Sequence, residues 1–189
     1  MPRIALRLLP LICLALAACG SGAASNGARI GDSGRAAPVE CAPFARALTG
    51  VNLSGDAADW WWEAEGRYAR SRTPQVGSIL VYRRSSRLPY GHVAVVSAVL
   101  SRRQIMVTQA NWVHHRVTTD QLVLDVSPDG DWSSVRVWWP PANQMGTADY
   151  QVFGFIRPEH PSGRDHILAA VPGAIRVAEA GRQPSPAGP

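Results

Sequence analysis

From Pro74 onward the sequence is a succession of short β-branched runs cut by turn residues, and its strong helical patterns come earlier. That order leaves few folds open. Ser78–Tyr82, Val93–Leu100, Gln104–Ala110, Leu122–Val126, Ser134–Trp139 and Val152–Ile156 each read as strands. Pro74-Gln75-Val76-Gly77, Ser101-Arg102-Arg103 and Ser127-Pro128-Asp129-Gly130 supply turns, the second of them a hairpin. Ahead of the strands, an Ala-rich run from Phe44 to Leu48 reads as a helix stopped at Thr49-Gly50. A second helix starts near Ser54 or Asp56, runs into Trp60-Trp61-Trp62 and ends by Gly66–Arg70. Helices that precede a meandering antiparallel sheet make an α+β layout, with the N-terminal helices packed on a sheet or half-barrel.

The N-terminus reads as an export signal. Arg3 and Arg7 open it, and the apolar run Leu8–Leu16 is too short to span a bilayer as a mature helix. Leu16-Ala17-Ala18-Cys19-Gly20 resembles a bacterial lipobox, in which Cys19 is lipidated and becomes the new N-terminus. The division this gives is a signal peptide over 1–18, a Gly/Ala/Ser-rich flexible tether over 19–38, a folded domain over 39–157 and a low-complexity, poorly ordered tail over 158–189. In that tail Ile167–Ala180 forms at most a weak helix, broken at Pro172-Gly173. The expected location is the cell envelope on the periplasmic face, lipid-anchored. The outer membrane is preferred, because Gly20 stands where an Asp often retains lipoproteins at the inner one. Without the signal, 17 arginines face 14 acidic residues, a formal charge of +3. That mild excess makes no case for nucleic acid.

The same cleavage simplifies the cysteines. Cys13 leaves with the signal and Cys19 carries lipid, so Cys41 is the one thiol left in an exported, oxidising setting. A lone thiol there invites a catalytic explanation, although a small buried core residue is the commoner fate of a free Cys. At the first turn of a helix, orphan backbone N–H groups and the macrodipole lower a thiol pKa from about 8.5 toward neutrality. His92 opens a strong strand directly after Gly91, which permits a tight turn, and it is the candidate base. Gln109 and Asn111 lie two apart at the end of the next strand, so both face one way, and either is a candidate to orient the imidazole.

These residues bear a family resemblance. Cys41-Ala42-Pro43-Phe44-Ala45-Arg46, Gly55-Asp56-Ala57, Trp61, Val76–Val81, Gly91–Val96 and Ala110-Asn111-Trp112 look like a CHAP domain, the cysteine, histidine-dependent amidohydrolase/peptidase, over about Val39 to Ile156. The resemblance implies a papain-like cysteine-hydrolase fold acting on bacterial cell-wall peptide, with Cys41 as nucleophile, His92 as general base and no cofactor. Gln109-Ala110-Asn111 stands where many members carry Glu-x-Asn. Asn111 matches, while Gln109 replaces a carboxylate by a weaker stabiliser of imidazolium. Asn111 is therefore the expected orienting residue. The implied substrate is peptidoglycan, cut as a muramoyl-alanine amidase or a stem-peptide endopeptidase. The alternative is a non-catalytic wall-binding or scaffold lipoprotein.

Three further residues are candidate substrate contacts. Three successive tryptophans cannot share one helical face, so one or two pack on the core and one reaches the surface; Trp61 is the candidate to stack on a sugar ring. Trp112 follows Asn111 directly. His114 and His115, adjacent on a strand, point to opposite faces, so that His114 alone is taken forward. No compact ligand spacing supports a metal site.

Overall fold

The computed structural model describes residues 34–181. The signal peptide, Cys19 and most of the tether lie outside the described residues. Nine antiparallel strands form the sheet: β1 (Arg35–Ala36), β2 (Ala69–Ser71), β3 (Ile79–Tyr82), β4 (His92–Ser101), β5 (Gln104–Ala110), β6 (Arg116–Asp125), β7 (Ser134–Trp139), β8 (Gln144–Met145) and β9 (Tyr150–Arg157). Eight of them follow the hydrogen-bonded order β1-β6-β5-β4-β3-β9-β7-β8, β2 pairs with β9 off this path, and β6 also pairs with β7, which closes strands β3 to β7 and β9 into a barrel-like sheet. Closure removes the exposed edges that a meander would otherwise leave.

The expected α+β class holds, but the helices are not confined to the N-terminal side. α1 (Cys41–Thr49) begins at Cys41 itself and ends at Gly50, whose left-handed backbone donates to the Arg46 carbonyl. The second helix is a single turn, α2 (Trp60–Glu63), entered through a 3₁₀ turn at Ala57–Asp59. Neither Ser54 nor Asp56 caps it. Ser54 turns its N–H and hydroxyl to Glu63, and Asp56 is taken by Arg84.

The C-terminal segment overturns the expectation of a disordered tail. α3 (Arg164–Ala180) is a 17-residue helix that buries Ile167, Val171, Ala174, Ile175 and Ala178, the i, i+4, i+7, i+8, i+11 stripe that packs it against α1. Burial of a large apolar side chain is worth about 1.5–3 kcal/mol. Three such residues outweigh the roughly 3 kcal/mol that Pro172 costs a helix interior, and Pro172 sits on the exposed side. A composition biased to Ala, Gly and Pro concealed this stripe. Part of the expected tether is likewise structured: β1 pairs with β6, and Ala37 is buried.

Alternation along β3 and β4 divides the core in two. Ile79, Val81, Val93 and Val95 face the helices and join Phe44, Leu53 and Trp60. Leu80, Tyr82, Ala94 and Val96 face the barrel interior with Ile105, Val107, Val123 and Phe155. Both faces of these strands are covered, which is why their sequences read as continuous apolar runs. The site lies at the end of this doubly buried pair, where α1 begins and β4 begins.

The helix layer is also fastened by a buried charge. Asp120 is inaccessible, holds a left-handed backbone at φ 52°, and accepts from the Ser97 hydroxyl at 2.7 Å and from both terminal nitrogens of Arg164 at 2.8 and 2.5 Å. Removing one partner of such a pair strands the other charge. Arg164→Ala is expected to cost about 3 kcal/mol in urea denaturation; a change under about 0.5 kcal/mol, the range of an ordinary surface substitution, would show that this pair does not hold α3.

Candidate active site

α1 starts at Cys41, and two of the backbone N–H groups that favour negative charge on its sulfur are its own and that of Ala42. A third donor comes from across the fold, the N–H of Val93 on β4. The sulfur therefore sits where the helix tip meets the strand tip, one residue from His92. Cys41 and His92 line one cleft of about 570 Å³, together with Glu40, Asp56, Arg87, Tyr90 and Asn111 among others.

The turn that delivers His92 demands glycine. Gly91 has φ +72°, and a Cβ there would lie 2.6 Å from the Ala58 Cβ and 2.8 Å from the Tyr82 carbonyl oxygen. His92 is 4% exposed. Its ring lies 5.4 Å from that of Tyr82 and 5.2 Å from that of Trp112. Nε2 is 3.0 Å from the Gln109 Oε1. With the amide oxygen as acceptor, the proton sits on Nε2 and Nδ1 is left as the free basic nitrogen.

This corrects the expectation that Asn111 orients the base. Gln109 does so, and Asn111 is engaged elsewhere: its Nδ2 donates to the Glu40 carboxylate at 2.7 Å and its Oδ1 accepts the His115 N–H at 2.9 Å. The two residues do not share a strand face because β5 ends at Ala110 and Asn111 turns left-handed, φ 60°. The same turn overturns the histidine argument. Residues 111–115 are not a strand, and the rings of His114 and His115 stack 3.7 Å apart on the surface, outside the cleft lining.

Neither tryptophan lines the cleft. Trp61 lies against Phe153, centroids 6.0 Å apart and ring planes nearly parallel, under the Arg70 guanidinium. Gly154 makes room for it, since a Cβ there would come within 3.0 Å of the Trp61 ring. Trp60 is fully buried and Trp62 is 59% exposed, so the trio divides as helical geometry requires. Trp112 stands behind His92, between Tyr82 and Tyr150. Glu40, Arg87 and Tyr90 were missed as cleft residues. The signal for Glu40 was its place at the N-cap, directly before the thiol; the other two come from a loop with no pattern to read.

The electrostatics also depart from the sequence expectation. Burial is the largest influence on Cys41, Glu40 adds to it, and against the three N–H donors these push the thiol up to about 11. At neutral pH the thiolate fraction is then about one part in ten thousand. Desolvation likewise lowers His92 to about 4, opposed by the Gln109 bond. The pair rests as neutral thiol and neutral imidazole, in which the imidazole is free to accept a proton. Among the described residues no group of three His, Cys, Asp or Glu could hold a metal ion, and no helix is long and apolar enough to cross a membrane.

Residues 31–111 match the model of the CHAP domain family. The match takes in α1, the loop to β4 and all of β5, and thus Cys41, His92 and Gln109. No curated protein matched the chain. Among solved structures, the crystal structure of Ly7917 is similar at 22% identity and a TM-score of 0.41, covering 69% of this chain and 58% of that one. Ly7917 with the hydrolyzing product of MDP gives 19%, a TM-score of 0.36, and coverage of 69% and 59%. The chain thus spans less than two thirds of the length of those structures.

Two outcomes follow. A base whose folded pKa lies below its unfolded value binds protons preferentially when unfolded, so stability is whole above about pH 6.5 and falls as pH drops toward 4. For His92 that loss is about 3 kcal/mol, complete below pH 4. Urea denaturation from pH 7 to 4 should show it, and His92→Gln should lack that component; equal pH profiles for the two proteins would contradict it. Gly91→Ala is expected to cost about 1–3 kcal/mol through strain at positive φ and contact with Ala58, measured in the same way.

Proposed function

We propose that the chain is a cell-envelope cysteine hydrolase that cleaves an amide bond of peptidoglycan, as a muramoyl-alanine amidase or a stem-peptide endopeptidase, on a papain-like arrangement of helix-borne thiol and strand-borne base. The observation that carries this reading is that Cys41 and His92 share one cleft, with the imidazole Nε2–H fixed on Gln109. The CHAP match over 31–111 and the export signal direct the choice of substrate. Lipidation at Cys19, outside the described residues, would tether the domain beside its polymer. The outer membrane is the preferred anchor site.

The chemistry follows from the resting charges. The Cys41 thiol transfers its proton to His92 Nδ1 as the sulfur attacks the carbonyl carbon, so that a free thiolate never has to accumulate in the buried cleft. The carbonyl oxygen becomes an oxyanion, which the Cys41 N–H at the helix start would receive. The intermediate collapses to a thioester as the amine leaves with the proton from Nδ1. Water then gives a proton to Nδ1, attacks the thioester carbonyl and releases the acid, and the proton returns to sulfur. Gln109, a neutral acceptor, holds the ring through each step but stabilises imidazolium less than a carboxylate would.

A second reading, a non-catalytic wall-binding lipoprotein on the same fold, is favoured by one observation, the upward shift of the Cys41 thiol. Incubation with purified peptidoglycan and analysis of soluble muropeptides separates the two. The hydrolase releases muropeptides, and Cys41→Ala lowers that release by at least about a thousandfold. Co-pelleting with no soluble product, where a control hydrolase acts, would support the binder; equal release by Cys41→Ala would refute the mechanism.

A further inference from the structure

The proposed nucleophile shares its cleft with charges that thiol chemistry does not explain. Asp56 already has a cationic partner, Arg84, which donates to it at 2.9 Å and to Asp59 at 2.7 Å and so stands between two carboxylates. Two charged side chains of the cleft have no oppositely charged partner among the described residues. Glu40 stands next to Cys41, and its only side-chain partner among the described residues is the neutral amide of Asn111. Arg87, exposed on the loop that lines the cleft with Leu88, Pro89 and Tyr90, has no hydrogen bond or ion pair with any described residue.

Glu40 is fixed rather than merely present. Asn111 is clamped between the His115 N–H and the Glu40 carboxylate, and its own backbone N–H donates to the Arg116 carbonyl at 2.8 Å. That is a preorganised acceptor with one carboxylate oxygen unclaimed. It does not cap α1. A negative charge beside the sulfur also opposes thiolate formation, so activation of the nucleophile is not its purpose. Charge-assisted bonds to such poles are the strong ones, and a carboxylate and a guanidinium that lack partners recommend ligands of the opposite sign.

We propose that the cleft selects a zwitterionic peptide: Glu40, held by Asn111, receives a free ammonium group of the substrate, and Arg87 receives a free carboxylate across the scissile bond. The inference rests on the reading of this cleft as a peptidoglycan amide site, and it names the substrate class within it: stem peptides that bear an unblocked diamino acid and unamidated carboxylates. An ammonium bound at Glu40 would also cancel the charge that opposes the thiolate, so that the correct substrate eases proton transfer to His92. Tyr90, 67% exposed, adds an apolar surface to the cleft lining.

Binding tests this without turnover. The full chain with Cys41→Ala is titrated calorimetrically with a muropeptide carrying a free diamino-acid amine and free carboxylates, with the same muropeptide N-acetylated, and with its carboxylates amidated. The parent should bind about tenfold more tightly than either derivative. Glu40→Gln should abolish the preference over the N-acetylated ligand and keep the other; Arg87→Gln should do the reverse. Both side chains are exposed, so the folds should survive, and circular dichroism checks that they do. Equal affinities for all three ligands, no binding of the parent at millimolar concentration, or preferences that persist in both variants would overturn the proposal. The hydrolase reading fails separately, by absence of muropeptide release from the unsubstituted chain even where the binding pattern holds.

Discussion

The arrangement depends on keeping one imidazole dry. His92 is enclosed by Tyr82 and Trp112, with Gln109 as its polar partner. Water would hold the ring near its ordinary pKa; this enclosure favours the neutral form well below neutrality. The Gln109 oxygen then decides which nitrogen is protonated. An exposed histidine at the same position would exchange tautomers freely and titrate close to physiological pH. Its aromatic neighbours therefore do chemical work without touching a substrate.

The fold exists largely to make that enclosure and to bring the thiol to it. β3 and β4 are buried on both faces, by the barrel interior and by the helix layer. The register that pairs Tyr82 with His92 sets one wall of the pocket. α1 lies across the helix-facing side, so its first residue meets the first residues of β4. α3 packs on α1 from outside, and the Arg164–Asp120 pair ties its start to β6. The position of Cys41 is thus secured by a segment more than a hundred residues away in sequence. Burial of the thiol works against the N–H groups around the sulfur and wins, because desolvation of the charged form is the larger influence.

Much of this was legible in the residues. A lone thiol ahead of Phe44–Leu48 and a His behind a glycine were visible as a pair, since capping, turn and strand signals are local. The barrel strands were visible for the same reason, through their β-branched runs. What was not legible was set by longer contacts. The left-handed turn at Asn111 reversed its assigned role with Gln109 and stacked His114 on His115, and no period in the sequence announces such a turn. α3 was hidden because its apolar stripe is spaced among Ala, Gly and Pro and gains its stability by packing. The thiol pKa could not be read at all, because burial is a property of the whole fold.

The state of the His92 ring is the most direct test of the account. Nitrogen-detected NMR of the chain labelled with ¹⁵N-histidine, recorded from pH 4 to 9, reports both tautomer and titration. The account predicts one imidazole that stays neutral with its proton on Nε2 down to about pH 4, and loses that fixed tautomer in Gln109→Leu. A His92 signal that titrates near pH 6.5, or that carries its proton on Nδ1, would contradict it.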